Sequence, residues 1–234
     1  MTGVIMNTTK YLTISAYIII AGFIIGILPQ PAHAATIVSY TFGSGVGTLD
    51  ADIGNARSDI TWSTGTSVGY TSPFTSQGVA LSVTSFTLGA YYQITLNATG
   101  YTDIAFNPFR TNGTAPAPNA WKLAYSLTGP SGTFTDVSTY SLVSGTSVAD
   151  TSPPGFSFPS GANNNANVTL RMIATSSSRV DGGAGVASGS VRLDNLSFTG
   201  TAIPEPATYA LWTGGLLLGV ITLRKIKRPA RARH

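Results

Sequence analysis

Residues 91–106 read YYQITLNATGYTDIAF. Tyr92, Ile94 and Leu96 alternate with Gln93, Thr95 and Asn97, and after a short gap Thr102, Ile104 and Phe106 alternate with Tyr101, Asp103 and Ala105. A period of two is the side-chain period of a strand, because successive Cβ atoms point to opposite faces; an amphipathic helix repeats every 3.6 residues. The stretch predicts two strands, and the adjacent Tyr91 and Tyr92 must place one ring on each face of their sheet. One of these rings is expected at the surface, where aromatic faces take up the apolar faces of sugar rings or else cover a sheet edge.

The same alternation recurs at 36–42, 59–62, 79–88, 121–127, 133–137, 168–173 and 190–198, making about nine strands in all. In the Trp121 strand, Trp121, Leu123 and Tyr125 share one face and are assigned to the core, while Lys122, Ala124 and Ser126 share the other. Gly, Asn, Pro and Ser fill the gaps, and no segment between the runs carries a helical apolar stripe. Many short strands without intervening helices predict an all-β, antiparallel β-sandwich, in its simplest form jelly-roll-like, with the first and last strands adjacent. The glycine-rich stretches Gly43–Gly47 and Asp181–Gly185 precede no helix, so they are read as sheet connections rather than phosphate-binding loops. The polar loops 113–119 and 160–167 are expected at the ends of the sandwich, where a loop-built site would lie.

The two ends of the chain differ from this body. Lys10, the uncharged stretch 11–28 and Pro29-Gln-Pro-Ala-His-Ala34 follow the basic, apolar, small-residue order of a secretory signal peptide. Ala32 and Ala34 flank His33 as the cleavage site, with cleavage after Ala34 by signal peptidase once the Sec machinery has exported the chain. An uncleaved N-terminal anchor is the alternative, which Pro29 and Pro31 disfavour by ending the signal helix just before that site. At the other end, residues 207–223 carry no charge and would form a transmembrane helix about 25 Å long. Arg224, Lys225, Lys227 and Arg228 open a basic tail, 224–234, that should stay cytoplasmic and leave everything before residue 207 facing outward. Pro204 and Pro206 keep Glu205 extended and accessible just outside the membrane. Physics alone leaves two readings, a plain tail anchor or a processed one.

The domains expected are therefore a signal segment 1–34, a β-sandwich 35–200 and a C-terminal segment 201–234. The strongly basic pI belongs to the tail. Between residues 35 and 203 there are six basic residues against eight aspartates, a net charge of −2, which excludes nucleic-acid binding by charge excess. The chain has no cysteine, and its two histidines, His33 and His234, lie outside the body. Cys nucleophiles, Ser-His-Asp triads and His-ligated metals are thereby removed from the domain, and stability must come from the core rather than from disulfides. The sole glutamate is Glu205. Only aspartate chemistry remains, and no aspartate pair has a recognisable acid/base setting, so the body is read as non-catalytic. A secreted Asp-dependent, polysaccharide-active enzyme is the competing class.

Pro204-Glu205-Pro206, the apolar span directly after it and the terminal basic cluster together resemble the PEP-CTERM sorting signal of Gram-negative bacteria, over about the last 30 residues. The resemblance implies recognition of Pro204, Glu205 and Pro206 by an exosortase, a membrane transpeptidase. This enzyme would turn an inner-membrane-anchored precursor into a cell-surface or extracellular-matrix protein. Val191–Gly200 resembles the closing strand of carbohydrate-binding-module-like jelly rolls found in many PEP-CTERM proteins, in some of which the matching aspartate helps hold a structural calcium.

Calcium is accordingly the one cofactor considered, with Asp194 and Asn195 in the last strand and Asp50 or Asp52 after the first as oxygen ligands. An Asx-capped turn or bulge is the alternative role for Asp194 and Asn195. The function expected is structural or adhesive, with weak contact to exopolysaccharide. An unprocessed, tail-anchored periplasmic domain stands beside it.

Overall fold

The alternating runs pair as strands, some over only part of their length: 59–62 pairs at Thr61–Trp62, 79–88 at Ala80–Val83, and 133–137 from Thr135 onward, which leaves Phe134 in the preceding connection. The computed structural model describes residues 34–42, 53–54, 59–64, 68–71, 80–144, 152–204, 214–215 and 217–221. In chain order the strands are β1 (Ala34–Tyr40), β2 (Ile53–Gly54), β3 (Thr61–Trp62), β4 (Val68–Thr71), β5 (Ala80–Val83), β6 (Tyr91–Leu96) and β7 (Tyr101–Phe106). They continue with β8 (Arg110–Gly113), β9 (Ala120–Ser126), β10 (Thr135–Ser141), β11 (Phe156–Ser157), β12 (Val168–Ala174), β13 (Val191–Asp194) and β14 (Leu196–Ala202). Among the described residues one 3-10 turn, Ser160–Ala162, interrupts them. One compact unit covers His33–Ile203.

Three antiparallel sheets result. A front sheet has the order β10-β9-β12-β6-β3, a back sheet β11-β7-β14-β1-β2 and a side sheet β4-β5-β13-β8. Front-sheet side chains meet both of the others across the core, Tyr92 reaching Val191 of the side sheet and Tyr125 stacking on Phe156 of the back sheet, so the back and side sheets together form one bent layer. The front sheet is the other layer of a β-sandwich. As expected, the first and last strands of the domain are neighbours, with Ala35 opposite Gly200 and Ser39 opposite Ser197.

A continuous core lies between the layers. Tyr92, Ile94 and Leu96 of β6, Trp121 and Leu123 of β9, and Leu170 and Met172 of β12 face Leu81, Val83, Val191, Leu193, Phe106 and Phe198 of the bent layer, all buried. Tyr92 Oη donates to the Val191 carbonyl at 2.7 Å, tying front sheet to side sheet through the core. Burial pushes the Tyr92 phenol pKa well above its usual value, so the group stays a neutral donor.

The run 190–198, expected as one strand, is two. Asn195 has φ 55° and sits between β13 and β14, so the chain turns from the side sheet into the back sheet at that residue. Asparagine tolerates the left-handed region better than most residues, and the Asp194 carboxylate accepts a hydrogen bond from the Asn195 N–H at 2.8 Å, fixing the turn locally. Strand β8, Arg-Thr-Asn-Gly, is the other surprise: its polar residues read as a connection, yet Thr111 and Asn112 are fully buried beside β13.

Among the described residues no helix is long and apolar enough to cross a membrane. Of the expected span 207–223, only the helical residues 214–215 and 217–221 are described, and the basic residues Arg224, Lys225, Lys227 and Arg228 lie outside the described residues, as do 1–33.

Two substitutions check this account by chemical denaturation. Asn195→Val, forcing a β-branched residue to positive φ, is expected to cost about 1–2 kcal/mol, with Asn195→Gly close to neutral. Tyr92→Phe should cost about 1–3 kcal/mol by removing the donor to the buried Val191 carbonyl.

Candidate functional site

Because the even-numbered residues of β6 and β12 fill the core, the odd-numbered ones form the outer face of the front sheet. Register places Thr61, Gln93, Arg171, Ala124 and Asp136 in one row across all five strands. A second row holds Tyr91, Ile173, Lys122 and Thr139. As alternation requires, Tyr92 is buried and Tyr91 is half-exposed on this outer face.

Arg171 organises the face. Its guanidinium lies 4.1 Å from the centroid of the Tyr91 ring on one side and 4.0 Å from that of Phe134 on the other. Both planar faces of the cation are therefore covered by aromatic rings, an arrangement favoured by the ring quadrupoles. Arg171 Nε donates to Gln93 Oε1 at 2.8 Å, and Nη2 donates to the Pro130 carbonyl at 2.8 Å. With stacking on both sides and bonds along two edges, the side chain is held in one orientation.

Phe134 reaches this position because the β9–β10 connection folds back over the sheet. Thr128 N–H donates to Ser126 Oγ at 3.3 Å, the Asn165 amide donates to the Leu127 carbonyl at 3.0 Å, and Gly132 N–H donates to the Gly129 carbonyl at 3.1 Å. Gly132 is required by close approach: a Cβ there would collide with the hydroxyls of Thr128 and Ser126. Beneath the connection, Thr95 and Thr169 are buried and share a hydrogen bond at 3.1 Å, so part of this nominally outward face is roofed. Beyond it, Lys122 Nζ pairs with Asp136 at 2.8 Å in an exposed ion pair. Such a pair contributes little to stability.

The other residues singled out in the sequence take different roles. In the Asn-rich loop, Asn163 Oδ1 accepts from Asp103 N–H, Asn164 Oδ1 from Gly100 N–H, and Asn165 Oδ1 from Asn167 N–H. These amides clip neighbouring connections together and are committed to the fold rather than presented to a ligand. The 181–185 connection is likewise braced: Arg179 makes two bonds to the Asp181 carboxylate, at 3.0 and 2.6 Å, and a third to the Ala184 carbonyl at 3.1 Å.

Asp194 is buried, stands directly opposite Arg110 in β8 and shares its face of β13 with Arg192. The charges nearest to it in the sheet are thus cationic, and its carboxylate serves the Asn195 turn. Asp50 and Asp52, the other expected calcium ligands, lie outside the described residues. Among the described residues no three His, Cys, Asp or Glu side chains gather as a metal would need. Ala34 is the exposed first residue of β1 and Pro204 is exposed; Ala32, Glu205 and Pro206 lie outside the described residues.

No family model matches the chain, and no curated protein matches it. Among solved structures, the N-terminal CBM22-1-CBM22-2 tandem domain of Paenibacillus barcinonensis Xyn10C aligns with a TM-score of 0.48 and 14% identity, over 76% of this chain and 49% of that one. The K1 cleaved adhesin domain of Lys-gingipain from Porphyromonas gingivalis W83 aligns with a TM-score of 0.45 and 11% identity, over 72% and 99%. The xylan-binding module CBM15 aligns with a TM-score of 0.40 and 10% identity, over 74% and 99%. The chain spans about half the length of the first of these. Likeness at this level says nothing about a ligand.

The braced connection has a pH signature. The Arg179 hydrogen bonds, then the Gly183 N–H, hold the Asp181 carboxyl below its ordinary range. A depressed folded-state pKa gives order that is present at neutral pH and lost as pH falls through the folded value. The Gly183 amide resonance is therefore expected to titrate with a midpoint below that of an unperturbed aspartate, and Asp181→Asn should abolish the titration.

Proposed function

We propose that this chain is an exported, non-catalytic β-sandwich that an exosortase sorts to the cell surface or extracellular matrix, where its front sheet contacts polysaccharide. The observation that carries the binding half is the outer face itself. Two half-exposed rings, Tyr91 and Phe134, are fixed by one guanidinium, and around them stand the amide of Gln93 and the hydroxyls of Thr61 and Thr139. Ring faces and edges offer apolar stacking surface, while neighbouring amides and hydroxyls offer hydrogen bonds; sugars present these same two kinds of surface. One of the structures compared above is a xylan-binding module, but the proposal rests on the face alone.

The sorting half rests on the order of features in residues 204–234: Pro204-Glu205-Pro206, an uncharged span and a basic tail. Pro204 follows β14 by two residues, so the motif would be reached as soon as the chain leaves the sandwich. The N-terminal order of charge, apolar run and small residues supplies the export step.

Each half has its own test. Affinity electrophoresis in gels containing exopolysaccharide should show retardation of the protein, and Tyr91→Ala should weaken it by about tenfold with little change in stability, tenfold being about 1.4 kcal/mol. Intact mass spectrometry of protein from the host surface fraction should show loss of residues 1–34 and of the segment after the Pro-Glu-Pro motif, with Glu205→Ala leaving the tail in place.

A further inference from the structure

We infer that the front face is built for an acidic polysaccharide, one bearing uronate or similar carboxylate groups, and that Arg171 is the residue that reads the charge. This rests on the polysaccharide reading above and specifies its ligand.

Most of the Arg171 guanidinium is already engaged within the protein. Its two planar faces are covered at 4.1 and 4.0 Å by Tyr91 and Phe134, Nε is bonded to Gln93, and Nη2 is bonded to Pro130. Among the described residues Nη1 has no partner, so the approachable part of a half-exposed cation is one edge with its N–H donors. A guanidinium edge matches a carboxylate more closely than it matches a sugar hydroxyl, in geometry and in charge.

Charge bookkeeping on the face points the same way. Among the described residues no carboxylate pairs with Arg171; Asp136 pairs with Lys122 and Asp181 with Arg179. Asp136 belongs to the Arg171 row, but Ala124 lies between them and its carboxylate is held by Lys122 at 2.8 Å. Lys122, opposite Ile173, is in turn matched by Asp136, which leaves Arg171 as the uncompensated cation of the two rows. The two rows therefore carry one net positive charge, that of Arg171, although the body is net negative. At physiological ionic strength screening over about 8 Å lets the local sign dominate.

Preorganisation strengthens the case. Ordering a free arginine costs side-chain entropy, whereas this one is already ordered by its rings and bonds. If the arginine served only to fasten the β9–β10 connection, its charge would be immaterial to binding. The acidic-ligand reading makes that charge decisive, and this difference can be measured.

The test uses the full chain, purified in a non-ionic detergent, and two probes with the same backbone: a galacturonate oligomer and its methyl ester, which lacks the charge. The unaltered protein should bind the acid form at least about tenfold more tightly than the ester, as expected for hydrogen bonds to a charged group. Added salt should erode that preference. Arg171→Gln should bring acid-form binding down to the ester level, Arg171→Lys should fall between, and Tyr91→Ala should weaken both forms alike.

Equal binding of the two forms by the unaltered protein would overturn the acidic-ligand inference and leave polysaccharide binding standing, as would binding confined to neutral glycans. Failure to bind any glycan in a panel of both kinds would overturn the two together. Because the acid-to-ester comparison needs no substitution, it decides the question even if Arg171→Gln loosens the connection.

Discussion

A run of touching rings crosses the core from one end to the other, and the rest of the molecule is arranged around it. Tyr92 meets Phe86, Phe86 meets Trp121, Trp121 meets Tyr140, and Tyr140 meets Phe109. Phe109 then meets Phe106, Phe106 meets Phe198, Phe198 meets Phe158, and Phe158 meets Tyr125, with centroid separations between 4.6 and 6.5 Å along the whole path. Offset and edge-on contacts of this kind add to the stability gained from burial. In a chain without disulfides this packing does what cross-links would otherwise do. It also fixes the rotation of β6 and β9 about their own axes: once Tyr92 and Trp121 point inward, Tyr91 and Lys122 must point outward.

The candidate site is thus the reverse side of the core. Arg171 faces outward because Leu170 and Met172 are locked between the layers, and it meets Tyr91 because Ile173 is opposite Tyr91 in the register. A one-residue slip of β12 against β6 would bury the guanidinium and expose the core, so the register that makes the sandwich also makes the stack. The β9–β10 connection supplies the remaining ring. Its geometry depends on Gly132, whose missing side chain lets the chain lie close over Ser126 and Thr128.

Much of the architecture was legible in the sequence because the strands that pack the core keep strict alternation. Residues 91–106 gave two strands close to those observed, and the assignment of Tyr91 and Tyr92 to opposite faces followed from a single rule. The sequence was least informative where the fold depends on something other than alternation. Asn195 turns the chain between sheets inside a run that alternates without a break, and β8 buries polar residues that look like a connection. The site was half legible. A surface tyrosine could be expected, but its partners could not, since Arg171 lies 80 residues from Tyr91 and Phe134 arrives through a folded-back connection. The Asn-rich loop misled for a related reason: its side chains look available in the sequence and are spent on backbone N–H groups in the structure.

The central proposal is that the outer face of the front sheet contacts polysaccharide. Mapping amide chemical-shift changes as an oligosaccharide from the host's own exopolysaccharide is titrated in tests this most directly. The account predicts changes concentrated at Tyr91, Gln93, Lys122, Phe134, Arg171 and Ile173, growing together along one binding curve. Changes centred on the 113–119 or 160–167 loops, or none at saturating sugar, would contradict it.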